Sequence, residues 1–221
     1  SDRTLKKKDF SISKLFLLHL PLSIIFFIIL YLAIPTLYNY DKSTLEKVIC
    51  KEKNIKCSIK GEVGYTFFPS PRIKINNVII KDNVNEKKII ASIKNVSAKL
   101  SIKNLLTKDK HKFKKIEVNK FIINLNIDDF KKYKNVFFNK NYFIPTILSK
   151  GEIIFLEKTD QVATIKDVDL KLNLDKDSKI VELKGKFLND DLYISFNRKE
   201  IDQKQISDII IKMSNLNLIT K

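Results

Sequence analysis

The side chains that usually carry chemistry are few and scattered in this chain. Its histidines are His19 and His111, and its cysteines are Cys50 and Cys57. A nucleophile–base–acid triad needs a histidine held between a nucleophile and a carboxylate. A zinc site needs three or four N, S or O ligands converging on one point. His19 falls inside a long apolar run, so His111 would have to build either site alone. Two cysteines seven positions apart do not complete a zinc site; in an oxidising compartment they are a candidate pair, and otherwise they are two semi-buried thiols. The adjacent carboxylates Asp128/Asp129 and Asp190/Asp191 fall in loops, where such pairs are ordinarily solvated. The chain has no G-x-S-x-G, no P-loop, no G-x-G-x-x-G and no H-E-x-x-H. The expectation is a protein that is not an enzyme and carries no cofactor or metal.

Charge points to the same conclusion. The net charge is +17, from 42 Lys and Arg against 25 Asp and Glu. Only Arg3, Arg72 and Arg198 of the basic residues are arginine. Nucleic-acid readers favour Arg, whose planar fork matches phosphate and guanine. A Lys-, Ile- and Asn-rich composition instead reads as codon bias, so nucleic acid is not an expected partner.

The chemistry that remains is apolar, and it begins with a membrane-length segment. From Leu15 to Tyr40 there is no Asp, Glu, Lys or Arg. Leu15 to Leu37 as a helix is about 35 Å long, enough to cross a hydrocarbon core of about 30 Å with some tilt. Pro21 and Pro35 lie near its ends, and Tyr31, Tyr38 and Tyr40 lie toward its far end, where aromatic rings favour the interface. Arg3, Lys6, Lys7, Lys8 and Lys14 precede the span, which places the N-terminus in the cytoplasm. No A-x-A-like cleavage site precedes Tyr40, so an uncleaved anchor is preferred over a signal peptide. The division expected is a basic cytoplasmic tail at 1–14, a transmembrane helix at 15–38 and a periplasmic β-rich domain at 39–221.

Beyond the span, residues 43–53 read as a short helix, with Ser43 and Glu46 spaced as a capping box. Then the apolar period becomes two. Val96, Ala98, Leu100 and Ile102 alternate with polar residues. So do Phe121, Ile123, Leu125 and Ile127; Val168, Leu170, Leu172 and Leu174; Leu192, Ile194 and Phe196; and Leu216 and Leu218. Such alternation predicts antiparallel strands with one apolar and one wet face. The candidate apolar lining is Val96, Leu100, Ile102, Ile123, Leu125, Val168, Leu170, Leu172, Leu174, Leu192, Ile194 and Phe196. It reads equally as an ordinary core. Residues 128–145 interrupt the series, with a helical turn from Asp128 to Asn135 and an aromatic cluster of Phe137, Phe138, Tyr142 and Phe143 before Pro145. Residues 204–213 fit a helix through Ile206, Ile209, Ile210 and Met213, or a strand through Ile209, Ile211 and Met213. Pro69 and Pro71 cannot donate to a ladder, so the block around them reads as a structural corner, with Arg72 gripping a nearby carboxylate or carbonyl.

From Ile59 to Asp82, the residues Gly61, Val63, Phe68, Pro69, Pro71, Ile73, Ile75 and Val78 match a G-x-V…F-P-x-P-x-I-x-I-x-x-V pattern. This resembles the opening of the periplasmic part of the AsmA family of bacterial envelope proteins. Ile93–Leu106, Ile116–Asp128 and Gly151–Lys186 are similar to the strands that follow it there. The resemblance implies a mainly β chain with minor α content (α+β). A transmembrane helix and a short helix lead into a curved antiparallel sheet, forming a groove or half-open sandwich. It also implies an inner-membrane protein that supports outer-membrane biogenesis by binding or guiding phospholipid. The alternative is an assembly factor for outer-membrane components without lipid transport. Family members usually run several hundred residues further, so the chain reads as the N-terminal part of such a protein.

Overall fold

The computed structural model describes residues 12–50, 55–82, 88–103, 105–108, 111–129, 144–174, 178–201 and 204–214. The expected helical turn at 130–135, the aromatic cluster at 137–143 and the Leu216/Leu218 pair lie outside the described residues.

An apolar helix, α1 (Ile12–Ala33), runs into a single 3-10 turn, Ile34–Leu37, with Pro35 at its start. Proline is tolerated there because the first N–H groups of a helix have no partner. A second helix, α2 (Lys42–Cys50), follows directly. Its cap differs from the expected Ser43/Glu46 box. The Asp41 carboxylate accepts from the Thr44 N–H at 3.0 Å and from the hydroxyls of Ser43 and Thr44. Asp41 stands one residue before the helix, where an N-cap must sit. Glu46 instead accepts the Ile59 N–H at 2.5 Å and ties α2 to the sheet.

Among the described residues the rest of the chain forms one sheet of ten strands: β1 (Ile55–Ile59), β2 (Val63–Thr66), β3 (Arg72–Asp82), β4 (Ile89–Leu100), β5 (Phe113–Asn126), β6 (Thr146–Glu157), β7 (Asp160–Leu174), β8 (Ser178–Phe187), β9 (Asp190–Ile201) and β10 (Lys204–Met213). The order is β1-β3-β4-β5-β6-β7-β8-β9-β10, with β2 also on β3. Residues 204–213 thus resolve as a strand. Every pairing is antiparallel except β5 with β6, which is parallel. That one exception departs from the expected all-antiparallel sheet. β5 and β6 start at the same end of the sheet, and a 3-10 turn at Ile127–Asp129 follows β5. Parallel neighbours require a crossover, whereas a tight hairpin forces antiparallel pairing.

The sheet is creased along a line that runs across its strands. Asn77 in β3, Lys120 in β5, Lys150 in β6 and Asp167 in β7 all have left-handed φ, between 51° and 59°. At the same level β1 and β2 form one edge interrupted at Lys60–Glu62, opposite Asn76 and Asn77. Register shifts beside Lys150 and Asp167 mark bulges in the β6–β7 and β7–β8 pairs, whereas register runs unchanged past Asn77 in β3–β4 and Lys120 in β4–β5, where the left-handed residue alone turns its strand. Apolar residues on one face therefore step by three instead of two: Ile75 to Val78, Val118 to Phe121 and Ile165 to Val168. The Asp169 carboxylate accepts the Lys150 N–H at 3.2 Å, satisfying an amide that the bulge takes out of the ladder.

Two glycines sit on this crease because backbone or ring passes close by. A Cβ on Gly151 would lie 2.3 Å from the ring of Phe121 on the parallel neighbour. A Cβ on Gly61 would lie 2.5 Å from the Asn76 carbonyl oxygen.

A trough closed at one end by the helices

Register puts one side chain from each strand into common rows. Ile80, Ala91, Ile123, Ile153, Ile165 and Phe187 form one row across six strands. Leu148, Leu170, Leu183, Ile194 and Ile211 form another beyond the crease. These rows belong to one continuous apolar face. Among the described residues no helix lies over β5 to β10, yet Val168 is fully buried and Phe121 nearly so. Buried and half-buried residues of this face pack against one another across neighbouring strands. The result is an open apolar trough.

The opposite face is polar. Asn76, Asn95, Asn119 and Ser149 are aligned across four strands and border a shallow depression of about 480 Å³ with Arg72, Lys74 and Glu117. Glu117 bonds Lys99 at 2.8 Å and Lys115 at 3.1 Å. Partial burial pushes its carboxyl up, and the two lysines outweigh that and hold it below its ordinary value. Charges this exposed contribute little stability; they keep this face wet.

The trough has two clusters with different covers. Near α1 and α2 the cluster is Leu45, Ile59, Ile73, Ile75, Val78, Leu100 and Leu105, with Tyr31, Leu32, Tyr40 and Tyr65 against it. Leu45 of α2 lies in it, so this end is stoppered. The larger cluster runs from Ala91 on β4 to Leu192 on β9, and half-buried Ile194, Ile211 and Met213 pack on it. Exposure rises toward the last strand, where Ile209 is 43% exposed.

The candidate residues distribute over both parts. Leu100 lies in the stoppered cluster, and Val96 packs against both clusters. Ile123, Val168, Leu170 and Leu192 are buried in the open part; Leu125, Leu172 and Ile194 are half-buried against it. Phe196 shares their face, in register between Val181 and Ile209. Leu174 belongs to β7, and its side chain lies outside the described ones. Ile102 is a correction. β4 ends at Leu100, and Ile102 stands beyond it at 55% exposure. The β4–β5 pairing closes with the Ser101 N–H donating to the Lys112 carbonyl at 2.8 Å, and Ile102 follows in the loop that leads into β5.

The Pro-Ser-Pro-Arg block forms a corner. The Pro71 carbonyl accepts the Leu100 N–H at 2.8 Å, which extends the β3–β4 ladder through the proline. Arg72 donates to the Ser70 carbonyl and hydroxyl at 3.1 and 3.0 Å. Among the described residues its partners are a carbonyl and a hydroxyl, both of Ser70.

Sequence reasoning missed the junction between α1 and the sheet. Tyr31 Oη donates to the Ile102 carbonyl at 2.8 Å, Tyr38 Oη to the Leu106 carbonyl at 2.6 Å, and Tyr65 Oη to the Leu32 carbonyl at 2.8 Å. Lys108 donates to the Asn39 carbonyl and stands 5.7 Å over the Tyr40 ring. The rings of Tyr38, Tyr40 and His111 pack together with centroids within 6.5 Å, the two tyrosines edge to face. Burial, with Tyr65 and Tyr38 nearby, pushes the Tyr40 phenol well above its ordinary value. The one readable signal was the three tyrosines themselves, spaced 31, 38 and 40.

Among the described residues no three His, Cys, Asp or Glu side chains converge as a metal site would require. Cys57 is buried and disulfide-bonded.

A single open, curved, antiparallel-rich sheet with one apolar face, entered from one N-terminal helix long and apolar enough to cross a membrane, defines a helix-led β-trough protein. The AsmA family model matches residues 6–139, more than half of the 221-residue chain, and the chain belongs to the AsmA family. The match takes in the helices and β1 to β5; the similar strands at Gly151–Lys186 lie beyond it. No curated protein and no solved structure matches the chain.

Proposed function

We propose that this is a single-pass inner-membrane protein that supports envelope biogenesis by binding or guiding phospholipid along the apolar face of its sheet. The observation that carries this reading is the stretch of that face from β7 to β10, over which no helix lies among the described residues. It is continuous with a buried core and graded from Val168, fully buried, to Ile209, 43% exposed. A folded protein that leaves such a face open has a use for it. Acyl chains suit it, because each buried CH₂ contributes about 0.8 kcal/mol while headgroups stay at the wet rim.

The placement rests on three further observations. Residues 19–37 form the membrane-length helix, and its apolar side chains are exposed in the protein itself. The basic residues Arg3, Lys6, Lys7, Lys8 and Lys14 precede it and favour a cytoplasmic N-terminus. The disulfide at Cys57 suits an oxidising compartment and so supports a periplasmic sheet. The family's envelope role agrees with each.

A photo-crosslinking amino acid at Ile194 or Ile209 of the full chain, in cells, tests the reading. Lipid adducts at both positions, with none at Lys184 on the polar face, are expected. Protein adducts in their place would overturn lipid handling and favour the second reading, an assembly scaffold for outer-membrane components. One feature supports that second reading: among the described residues β10 is paired only on its β9 side, and a free edge accepts a partner strand.

A further inference from the structure

Four large apolar side chains stand in water around the foot of α1. They are Leu37 at 85% exposure, Phe68 at 79%, Ile102 at 55% and Leu106 at 53%. They come from separate places in the chain: the 3-10 turn, the corner between β2 and β3, and the loop after β4. Leu37 is the last residue of the membrane-length segment. Tyrosine bonds tie the segments that carry the other three to the end of the span, between Tyr31 and Tyr38. Tyr31 and Tyr38 grip the carbonyls of Ile102 and Leu106 themselves, and Tyr65, three residues before Phe68, grips Leu32.

We propose that these residues form an apolar collar that sits in the interfacial layer of the leaflet through which α1 emerges. The occupant is a lipid surface, for two reasons. The collar is continuous with the helix that would cross the bilayer, so its height relative to that bilayer is fixed. Its bonding tyrosines belong to the aromatic class that favours the headgroup level. Exposed Lys42, Lys103 and Lys108 flank it and suit lipid phosphates. The collar thus fixes the tilt of the sheet and holds its stoppered end against the membrane, which a lone helix followed by a flexible link would not do. Leu188 provides the contrast. It is equally exposed at 79%, but it lies in the β8–β9 turn, past the row of Phe187 and Ala91, at the strand ends opposite Leu100.

The inference rests on reading α1 as a membrane span, and the test separates the two. The chain has no tryptophan, so single substitutions give unambiguous fluorescence. Phe27→Trp, Phe68→Trp, Leu106→Trp and Leu188→Trp are made in the full chain and reconstituted into phosphatidylcholine/phosphatidylglycerol vesicles. Brominated lipids and aqueous iodide serve as quenchers. Expected are deep-bromine quenching at position 27, shallow-bromine quenching with iodide protection at 68 and 106, and iodide quenching alone at 188. Iodide quenching at 68 and 106 equal to that at 188, with position 27 still quenched by lipid, overturns the collar and leaves the span intact. Absence of lipid quenching at position 27 overturns the span and the collar with it.

Discussion

The stoppered end of the trough and its open end are made of the same pattern, alternating Ile, Leu and Val on one face, yet they are physically different objects. At the stoppered end Ile73, Ile75 and Val78 are covered by Leu45 and by tyrosines from the end of α1. At the open end Ile194 and Ile211 pack on the sheet's own buried cluster, and among the described residues no helix covers them or Ile209. An apolar face is therefore a core or a groove according to what lies over it, and alternation alone does not distinguish the two.

The largest expected effect contrasts the two ends directly. Ile75→Ala removes buried methyl groups under α2 and is expected to cost about 2–5 kcal/mol, because the site is enclosed and cannot collapse. Ile209→Asn, at 43% exposure, is expected to stay within about 0.5 kcal/mol of the parent. Denaturant unfolding of the full chain in detergent reads both. Equal losses would mean that something covers the open end as fully as α2 covers the other.

Next in size is the crease between the two ends. Gly151→Val places a branched side chain where Phe121 now lies, with the first added carbon already 2.3 Å from the ring. A loss of about 1–3 kcal/mol or more is expected from overpacking. Phe121→Leu in the same chain should recover part of it, measured as a double-mutant cycle. Additive losses would show that the ring and the glycine do not share one space.

A smaller effect of opposite sign is expected at the neighbouring bulge residue. Lys150 holds φ at 58°, a conformation costing a non-glycine residue about 1–2 kcal/mol. Lys150→Gly removes that strain but adds unfolded-state entropy of about 0.5–1 kcal/mol, so a net gain of roughly 0.5 kcal/mol is expected. A loss would mean that the lysine side chain contributes more than its backbone strain costs.

The crease also explains how much of the fold the sequence reveals. The alternating runs read from sequence begin at Val96, Phe121 and Val168, all of which stand beside the crease. On one side of it the two-residue period holds, and strand and face are legible. Across it the period slips by one residue, so Ile93, Val118 and Ile165 fall out of phase and were not assigned to the same face. A left-handed residue within a strand leaves little mark in composition when it is Lys, as at Lys120 and Lys150. The parallel β5–β6 pair was equally hidden, since both strands carry ordinary alternation and only the connection between them decides direction. The helix, the Pro-Pro corner and the family were legible because each rests on local chemistry. The tyrosine junction was not, because its acceptors are backbone carbonyls some 70 positions away, at Ile102 and Leu106.

The smallest expected effect concerns the lid itself. Asp41 caps α2, and its carboxyl is held at about 2, first by the Ser43 hydroxyl and then by the Thr44 N–H and hydroxyl. A carboxyl whose folded value is depressed contributes stability that is complete above its unfolded value near 4 and lost as pH falls toward the folded one. The α2 cap should therefore weaken only between about pH 4 and pH 2. Glu117 is depressed with the same sign, so acid acts on the sheet as well. Asp41→Asn separates them, because asparagine keeps the capping oxygen and does not titrate. Hydrogen exchange of the α2 amides should accelerate below pH 4 in the parent beyond the change seen in Asp41→Asn. Identical pH profiles in the two would mean that the lid is held by Leu45 and Glu46 alone, and the stoppered end would then owe its closure to packing and to the single bond from Ile59.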